Sequence, residues 1–501
     1  MPELPDANGL VRRVDWRFLT GTAAPRRVLS TATGELREAV ESVALEVVDR
    51  AAAGSCDLAV LRALAASDVR RAFTALAPGG ALYAESPWPL RRGSRAPDRA
   101  LRDAGFTDVA VYWPWPPPNR SNPLFWLPLD SEAAAWWFLR RRPPAAGRLR
   151  LAVMRIARAA WWVLWRSRLL SPLCITARKP GAGGGGPGEP LAAVVERDLA
   201  AIGSNGATSS VSCVLLTGGR SAANKVVALA FAGNEPMPRM AVKLARVPEA
   251  EPPLRREAII LRELSAEGVQ AIPRVLAEHD LGGRIAVCES VVAGRPLAET
   301  LRPATHPRLA SRVTSLLADL ATGRPRLTAE WWTWIAEPSL DALEDGERAR
   351  ALELLRRIGD LPEVPEHRDC SPRNVIVQAD GALALVDWES SEPSGLPGLD
   401  LAYFLSFATF FVDRTIDTGR ELVSYAAMLD PRTVSGRIYR DSAAEYSRRV
   451  GVTPDQLDRL RLLCWLVHAR AAQVRGDASA AGMPREPLFL ALARSELSRH
   501  G

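Results

Sequence analysis

An α+β chain of two units, the second with a β-rich lobe followed by an α-rich lobe, is what three features of these 501 residues predict. A stretch dense in glycine and proline, KPGAGGGGPGEP at 179–190, cannot hold a helix or strand and reads as a flexible linker. Beyond it come alternating apolar segments with strand spacing, and then a largely helical remainder. The expected organisation is an α/β unit over 1–178, the linker over 179–190, a β-rich lobe over 191–295 and a helical lobe over 296–501. The length demands more than one core.

Each element of the second part has its own warrant. LAAVVERDLAAI opens it with helical spacing. VSCVLLTG and NKVVALAF, separated by GGRSAA, predict a hairpin with a loop of small residues. MPRMAVKLAR predicts a third strand and carries Lys243 in an apolar run. REAIILREL then turns Ile260, Leu261 and Leu264 toward a core, with Glu257 near its first turn. RIAVCESVVAGRPL predicts a further strand that ends in a glycine-containing connection.

Composition narrows the function classes. The apolar fraction of 47% suits a globular chain, and no apolar run reaches the roughly 20 residues of a membrane-spanning helix. Six scattered cysteines without CxxC pairs, and no signal peptide, imply reduced thiols in a cytoplasm, with neither a disulfide framework nor a zinc site. Charge is uneven, since residues 1–180 carry 27 basic and 16 acidic side chains while the rest carry 37 and 41. Without interleaved stacking aromatics or a reader motif in the second part, this excess gives no reason to expect a nucleic-acid partner. Only three of the 64 basic residues are lysine, namely Lys179, Lys225 and Lys243. In so arginine-rich a chain a retained lysine marks a position where the broad guanidinium does not serve. Lys225 reads as a solvated strand-edge residue, and Lys179 merely opens the linker.

The stretch EHRDCSPRNVIV, 366–377, carries the chemistry. Alone, an HRD tripeptide is a common basic turn. Here Asn374 follows Asp369 by five residues, VIV reads as a strand, and ALALVDWE supplies a second strand ending in Asp387. Phosphoryl transfer needs a carboxylate to orient the attacking hydroxyl and oxygen ligands for magnesium on the nucleotide phosphates. Asp369 suits the first task, Asn374 and Asp387 the second. Lys243 can reach the phosphates as a compact ammonium, with Glu257 holding it in place.

With these residues the chain resembles, over about 191–501, the aminoglycoside phosphotransferase and choline kinase group of small-molecule kinases, which have a protein-kinase-like two-lobe fold. The resemblance rests on HRDCSPRN, on VDWE with Trp388 after the magnesium aspartate, and on LDLAYFL, where Asp400 supports the catalytic loop. It implies ATP and Mg as cofactors, an alcohol group as acceptor, and a hinge at AVCESVVAGRPL that sets the backbone of Glu289 and Ser290 against adenine. It also implies that His367 buttresses the loop. The phosphate loop TGGRSAANK lacks a full GxGxxG, and Gly218, Gly219 and Ser221 are its candidate residues. Arg368 stands where the group has a small residue. Cys370 reads as a small, half-buried thiol.

The first unit resembles the back half of class I S-adenosylmethionine-dependent methyltransferases. RRVLS, SCDLAVLRAL, RAFTALAPGGALYAE and LRDAGFTDVAVYW carry the likeness, and CITARKPG reads as the final strand. VLSTATGELREAV holds a single glycine, Gly34, where the cofactor loop needs several. The expectation is a shortened domain that has lost cofactor binding, with Asp49 as the ribose ligand if it has not. No acidic residue occurs from 133 to 188, and nine arginines lie between 140 and 168 beside Trp161, Trp162 and Trp165. Weak contact with an anionic membrane surface is one reading of this segment; a helix that packs its tryptophans on the domain is the favoured one, because no clean apolar stripe appears.

The function these features imply is an ATP- and Mg-dependent phosphotransferase acting on a hydroxyl of an aminoglycoside, sugar or amino alcohol. The alternatives are a non-catalytic nucleotide-binding regulatory protein, or a kinase joined to an active methyltransferase.

Overall fold

The computed structural model describes residues 7–86, 97–116, 118, 122–140, 159–164, 173–181, 189–202, 210–218, 222, 224–321, 326–327, 331–475 and 486–500. The chain forms two compact units, the first comprising Met1–Arg255 and Arg274–Val291, the second Arg256–Pro273 and Val292–Gly501. This division falls elsewhere than at 179–190, of which 182–188 lie outside the described residues.

A single twelve-stranded sheet organises the first unit. Strands β1 (Arg27–Ser30), β2 (Glu46–Val48), β3 (Cys56–Leu61) and β4 (Leu76–Ser86) pair in parallel in the order β2-β1-β3-β4. Their apolar runs, such as CDLAVL with five of its six residues buried, are what a strand covered on both faces needs. Beyond them the sheet is antiparallel. β5 (Thr107–Trp115) and β6 (Phe125–Pro128) pair with each other, and β7 (Leu173–Arg178) inserts between β4 and β5.

The sheet then continues without a break into the strands expected of the β-rich lobe. β8 (Val211–Leu216) pairs with β6 through Phe125 opposite Leu216 and Trp126 opposite Leu215. β9 (Val226–Ala232), β10 (Met240–Leu244), β12 (Ile285–Ser290) and the edge strand β11 (Val275–Asp280) complete it. One core cluster accordingly runs from Val28, Tyr83 and Trp126 to Val214's neighbours Cys213 and Leu215, and on to Val242 and Cys288. The helix Leu191–Ala201 lays Leu191, Val194, Val195 and Leu199 on this core. Trp161 packs on Trp113 and Phe138, and Trp162 on Trp136, so these two rings are engaged within the unit.

The second unit is mainly helical, with long helices at His306–Ala321, Leu399–Asp413, Val434–Val450 and Pro454–Arg475. Helix Leu399–Asp413 is buried along nearly its whole length, which its sequence LDLAYFLSFATFFVD allows. Two short antiparallel strand pairs matter for the site. Val375–Val377 pairs with Leu383–Leu385, and Val364–Glu366 pairs with Glu392–Gly395. Among the described residues no helix is long and apolar enough to cross a membrane.

Candidate active site

The loop between the strands at 364–366 and 375–377 is held from beneath by one carboxylate. Asp400, in the first turn of helix Leu399–Asp413, accepts the backbone N–H of His367 at 2.6 Å and that of Arg368 at 2.9 Å. His367 is fully buried; its Nε2 donates to the Val386 carbonyl at 3.0 Å, and its Nδ1 accepts the Asp369 N–H at 3.2 Å. The ring thus links the loop to the segment just past strand Leu383–Leu385.

Above this support stands Asp369. Asn374 Nδ2 donates to its Oδ2 at 2.8 Å and to its backbone carbonyl at 2.9 Å, while the Tyr403 hydroxyl reaches Oδ1 at 3.3 Å. The spacing of five residues is explained here: a tight turn, closed by Ser371 N–H on the Asp369 carbonyl at 2.7 Å, brings Asn374 back over Asp369. With its Nδ2 so engaged, Asn374 presents its Oδ1 as the remaining acceptor.

Asp387 lies just past the strand Leu383–Leu385 with φ of 75°, a left-handed conformation that aspartate tolerates better than most residues. One ligand atom from each of Glu257, Asp387 and Glu389 falls within 4.8 Å of the others. Glu257 is fully buried and accepts the Trp388 N–H at 2.7 Å. Trp388 is itself buried and packs its ring on His367. Three convergent carboxylates offer oxygen ligands of the kind a hard divalent cation takes. This donor set fits magnesium.

Arg368 departs most from the expected pattern. It has φ of 60°, and its guanidinium lies 3.3 Å from Glu366, which is buried, and 3.5 Å from Glu392. Burial raises the carboxyl of Glu366, and burial followed by the neighbouring Glu366 raises that of Asp400 to about 7. Cys370 is fully buried, its thiol pushed far up by that burial, and so inert as a nucleophile at neutral pH.

In the first unit, Lys243 on β10 forms an ion pair with Glu289 on β12 at 2.9 Å. The register explains it: Lys243 lies opposite Val287 and Ala241 opposite Glu289, so the two side chains are diagonal neighbours on one face. Glu289, expected at a hinge through its backbone, also pairs its carboxylate with Lys243. Ser290 donates its backbone N–H to the Arg274 carbonyl at 2.8 Å. Gly218 follows β8 and is exposed, whereas Gly219 and Ser221 lie outside the described residues. Sequence reasoning passed over Glu389 and Tyr403, although both stood in the motifs VDWE and LDLAYFL. Their signal was spacing, two residues from Asp387 and three from Asp400.

Residues 214–432 match the model of a family described as "Phosphotransferase enzyme family". Over this region, less than half of the chain, the sequence is similar to that phosphotransferase family. Among solved structures, the choline kinase of Streptococcus pneumoniae is similar at 15% identity, covering 61% of this chain and 98% of that one, with a TM-score of 0.40. The ethanolamine kinase of Plasmodium vivax is 11% identical over 58% of this chain and 81% of that one, with a TM-score of 0.36. An aminoglycoside phosphotransferase of Streptomyces rimosus, in complex with ADP and streptomycin, is 18% identical over 48% and 90%, with a TM-score of 0.32. No curated protein matches the chain in sequence.

Proposed function

We propose that the chain is an ATP- and Mg-dependent kinase that phosphorylates a hydroxyl of a small molecule of the aminoglycoside, sugar or amino-alcohol class, in the cytoplasm. The observation that carries this reading is the pairing, within one unit, of an Asp369 carboxylate held by Asn374 and Tyr403 with the convergent carboxylates of Glu257, Asp387 and Glu389. Nucleotide bound with magnesium would supply the phosphoryl group and neutralise its charge. Asp369 orients the acceptor hydroxyl and takes its proton. Asn374 fixes the carboxylate through Nδ2 and offers Oδ1 to the cation; Asp387 and Glu389 supply charged oxygens beside it. Lys243, kept ordered by Glu289, serves the phosphates together with Gly218, Gly219 and Ser221. The backbone at Glu289 and Ser290 serves the base.

Two variants test the assignment of roles. Asp369→Asn should keep nucleotide binding and lose turnover by about 100- to 10,000-fold, the usual worth of positioned general acid-base help. Asp387→Asn should also lose the magnesium dependence of nucleotide binding, because a neutral amide is a poorer ligand for a hard dication. Equal loss of nucleotide binding in both would reverse the assignment. Unchanged turnover in Asp369→Asn would remove it.

For residues 1–178 we infer a shortened methyltransferase-like domain without cofactor. Its support is the strand order β2-β1-β3-β4 with antiparallel β7 set beside β4, and the position of Asp49, whose carboxylate pairs with Arg37 at 2.6 Å. ATP with magnesium should therefore raise the melting temperature while S-adenosylmethionine leaves it unmoved. A shift with sub-millimolar S-adenosylmethionine would restore the reading of a bifunctional enzyme. The arginine-rich segment 140–168 is assigned no more than weak contact with an anionic membrane surface, since Trp161 and Trp162 are packed on the unit. Neither nucleic acid nor a protein partner is assigned.

A further inference from the structure

A second group of potential ligands lies in the first unit. Helix Leu191–Ala201 buries Leu191, Val194, Val195 and Leu199, and in the same stripe, at helical spacing, it carries Asp198. A carboxylate on the core-facing stripe of a helix is costly unless a cationic or hydrogen-bonding group meets it. The group that meets it is His279 on β11, whose Nε2 stands 2.7 Å from Asp198 Oδ2. Cys288 on β12 completes the set, with one ligand atom of each residue within 4.8 Å of the others. The register makes this a built arrangement. His279 lies opposite Ala286 and Cys288 opposite Ala277, so His279 and Cys288 are diagonal neighbours on one face of the edge hairpin. Cys288 is fully buried, Asp198 nearly so, and His279 half-buried at the rim.

We propose that Asp198, His279 and Cys288 form a binding site for a zinc-like divalent transition metal, separate from the magnesium carboxylates of the second unit. The donors decide the class of ion. An imidazole nitrogen, a thiolate sulfur and one carboxylate oxygen suit zinc or cobalt and disfavour magnesium or calcium, which take oxygen alone. Three protein ligands leave a fourth, water-filled position in a tetrahedral site. Binding balances simply: the metal takes the place of the proton shared by His279 and Asp198, the Cys288 thiol gives up its proton to solvent, and the sulfur becomes the third ligand. Affinity should therefore rise with pH. The metal would clip the helix to β11 and β12, and so hold the edge hairpin that presents Glu289 to Lys243 on its opposite face.

Cobalt spectroscopy on the full chain, stripped of metal and kept reduced without thiols, reads this site directly and does not depend on phosphotransfer. One equivalent of Co²⁺ should produce the visible bands of a four-coordinate site and a near-ultraviolet thiolate-to-cobalt band, both abolished by Zn²⁺. Cobalt held by Glu257, Asp387 and Glu389 would show no thiolate band. In Cys288→Ser the near-ultraviolet band should vanish; in His279→Gln, a change at a half-exposed position that spares the core, both bands and the rise in melting temperature with Zn²⁺ should be lost. Absence of the thiolate band in the unaltered protein, or its persistence in Cys288→Ser, would overturn the proposal. So would a melting temperature that Zn²⁺ leaves unchanged while His279→Gln lowers it without metal, the behaviour of a hydrogen-bonded trio alone.

Discussion

At the residue, competing effects can be weighed at Arg368. A non-glycine residue at φ of 60° costs about 1–2 kcal/mol, which glycine would not incur. Against this, removing the guanidinium leaves Glu366 buried without its cation, and breaking a buried pair costs about 3–5 kcal/mol. Part of that larger figure is lost because the Arg368 side chain is one-fifth exposed and Glu392 one-third. The ion pair still wins, so Arg368→Gly should lower the urea midpoint by an amount worth about 1–2 kcal/mol near neutral pH. Arg368→Gly with Glu366→Gln should recover most of it, since no buried charge is then stranded. A single Arg368→Gly variant more stable than the parent would show that backbone strain dominates. The unusual arginine was visible in the sequence, but its reason was not, because Glu392 approaches it only through the strand pairing of 364–366 with 392–395.

At the scale of elements, the loop at 367–374 and the helix that carries Asp400 share one pH response. Asp400, raised to about 7 from an ordinary 3.8, binds its proton more firmly folded than unfolded. Stability from this group is full below about pH 4 and is lost as pH rises through about 7, because the native state holds the extra proton across that window. Glu366 is raised too and acts in the same sense. The melting temperature of Asp400→Asn should fall less steeply between pH 4 and pH 7 than that of the parent, by an amount worth on the order of a few kcal/mol. Parallel profiles would locate the shared proton elsewhere. Elements also show what the sequence could and could not convey. Hairpin β8–β9, strand β10 and the strand VIV were legible from apolar alternation and turn residues. Edge strand β11, VLAEHD, was not, because it is only partly buried and mixes charge into both faces. Without β11 there is no register to set His279 beside Cys288, and six scattered cysteines gave no hint of a metal ligand. Lys243 was picked out by its rarity, but its partner Glu289 is fixed by a diagonal across two strands that periodicity does not specify.

For the molecule as a whole, the expected separation at 179–190 and the continuous sheet lead to different behaviour on truncation. β6 is a four-residue strand, FWLP, too short to announce itself, yet it carries the pairing that joins β5 to β8. A second tie is electrostatic. Asp15 sits in a fully buried cluster, 3.0 Å from Arg246 and 3.4 Å from Arg17, and Arg17 donates to the Arg246 carbonyl at 2.5 Å. Arg246 lies two residues past β10, so the N-terminal segment neutralises a buried cation at the end of the strand that carries Lys243. Asp15→Asn should therefore cost about 3–5 kcal/mol, as expected when one partner of a buried ion pair is removed. Asp15→Leu combined with Arg17→Met and Arg246→Met should restore much of that loss, because no uncompensated charge then remains. A fragment of residues 191–501 would lack Asp15 and Arg17 and would expose the β8 edge with Val214 and Leu215, an invitation to edge-to-edge association. It should aggregate, or fail to melt cooperatively. Isolation of that fragment as a cooperative monomer with undiminished phosphotransfer would show instead that the first 190 residues are an independent appendage.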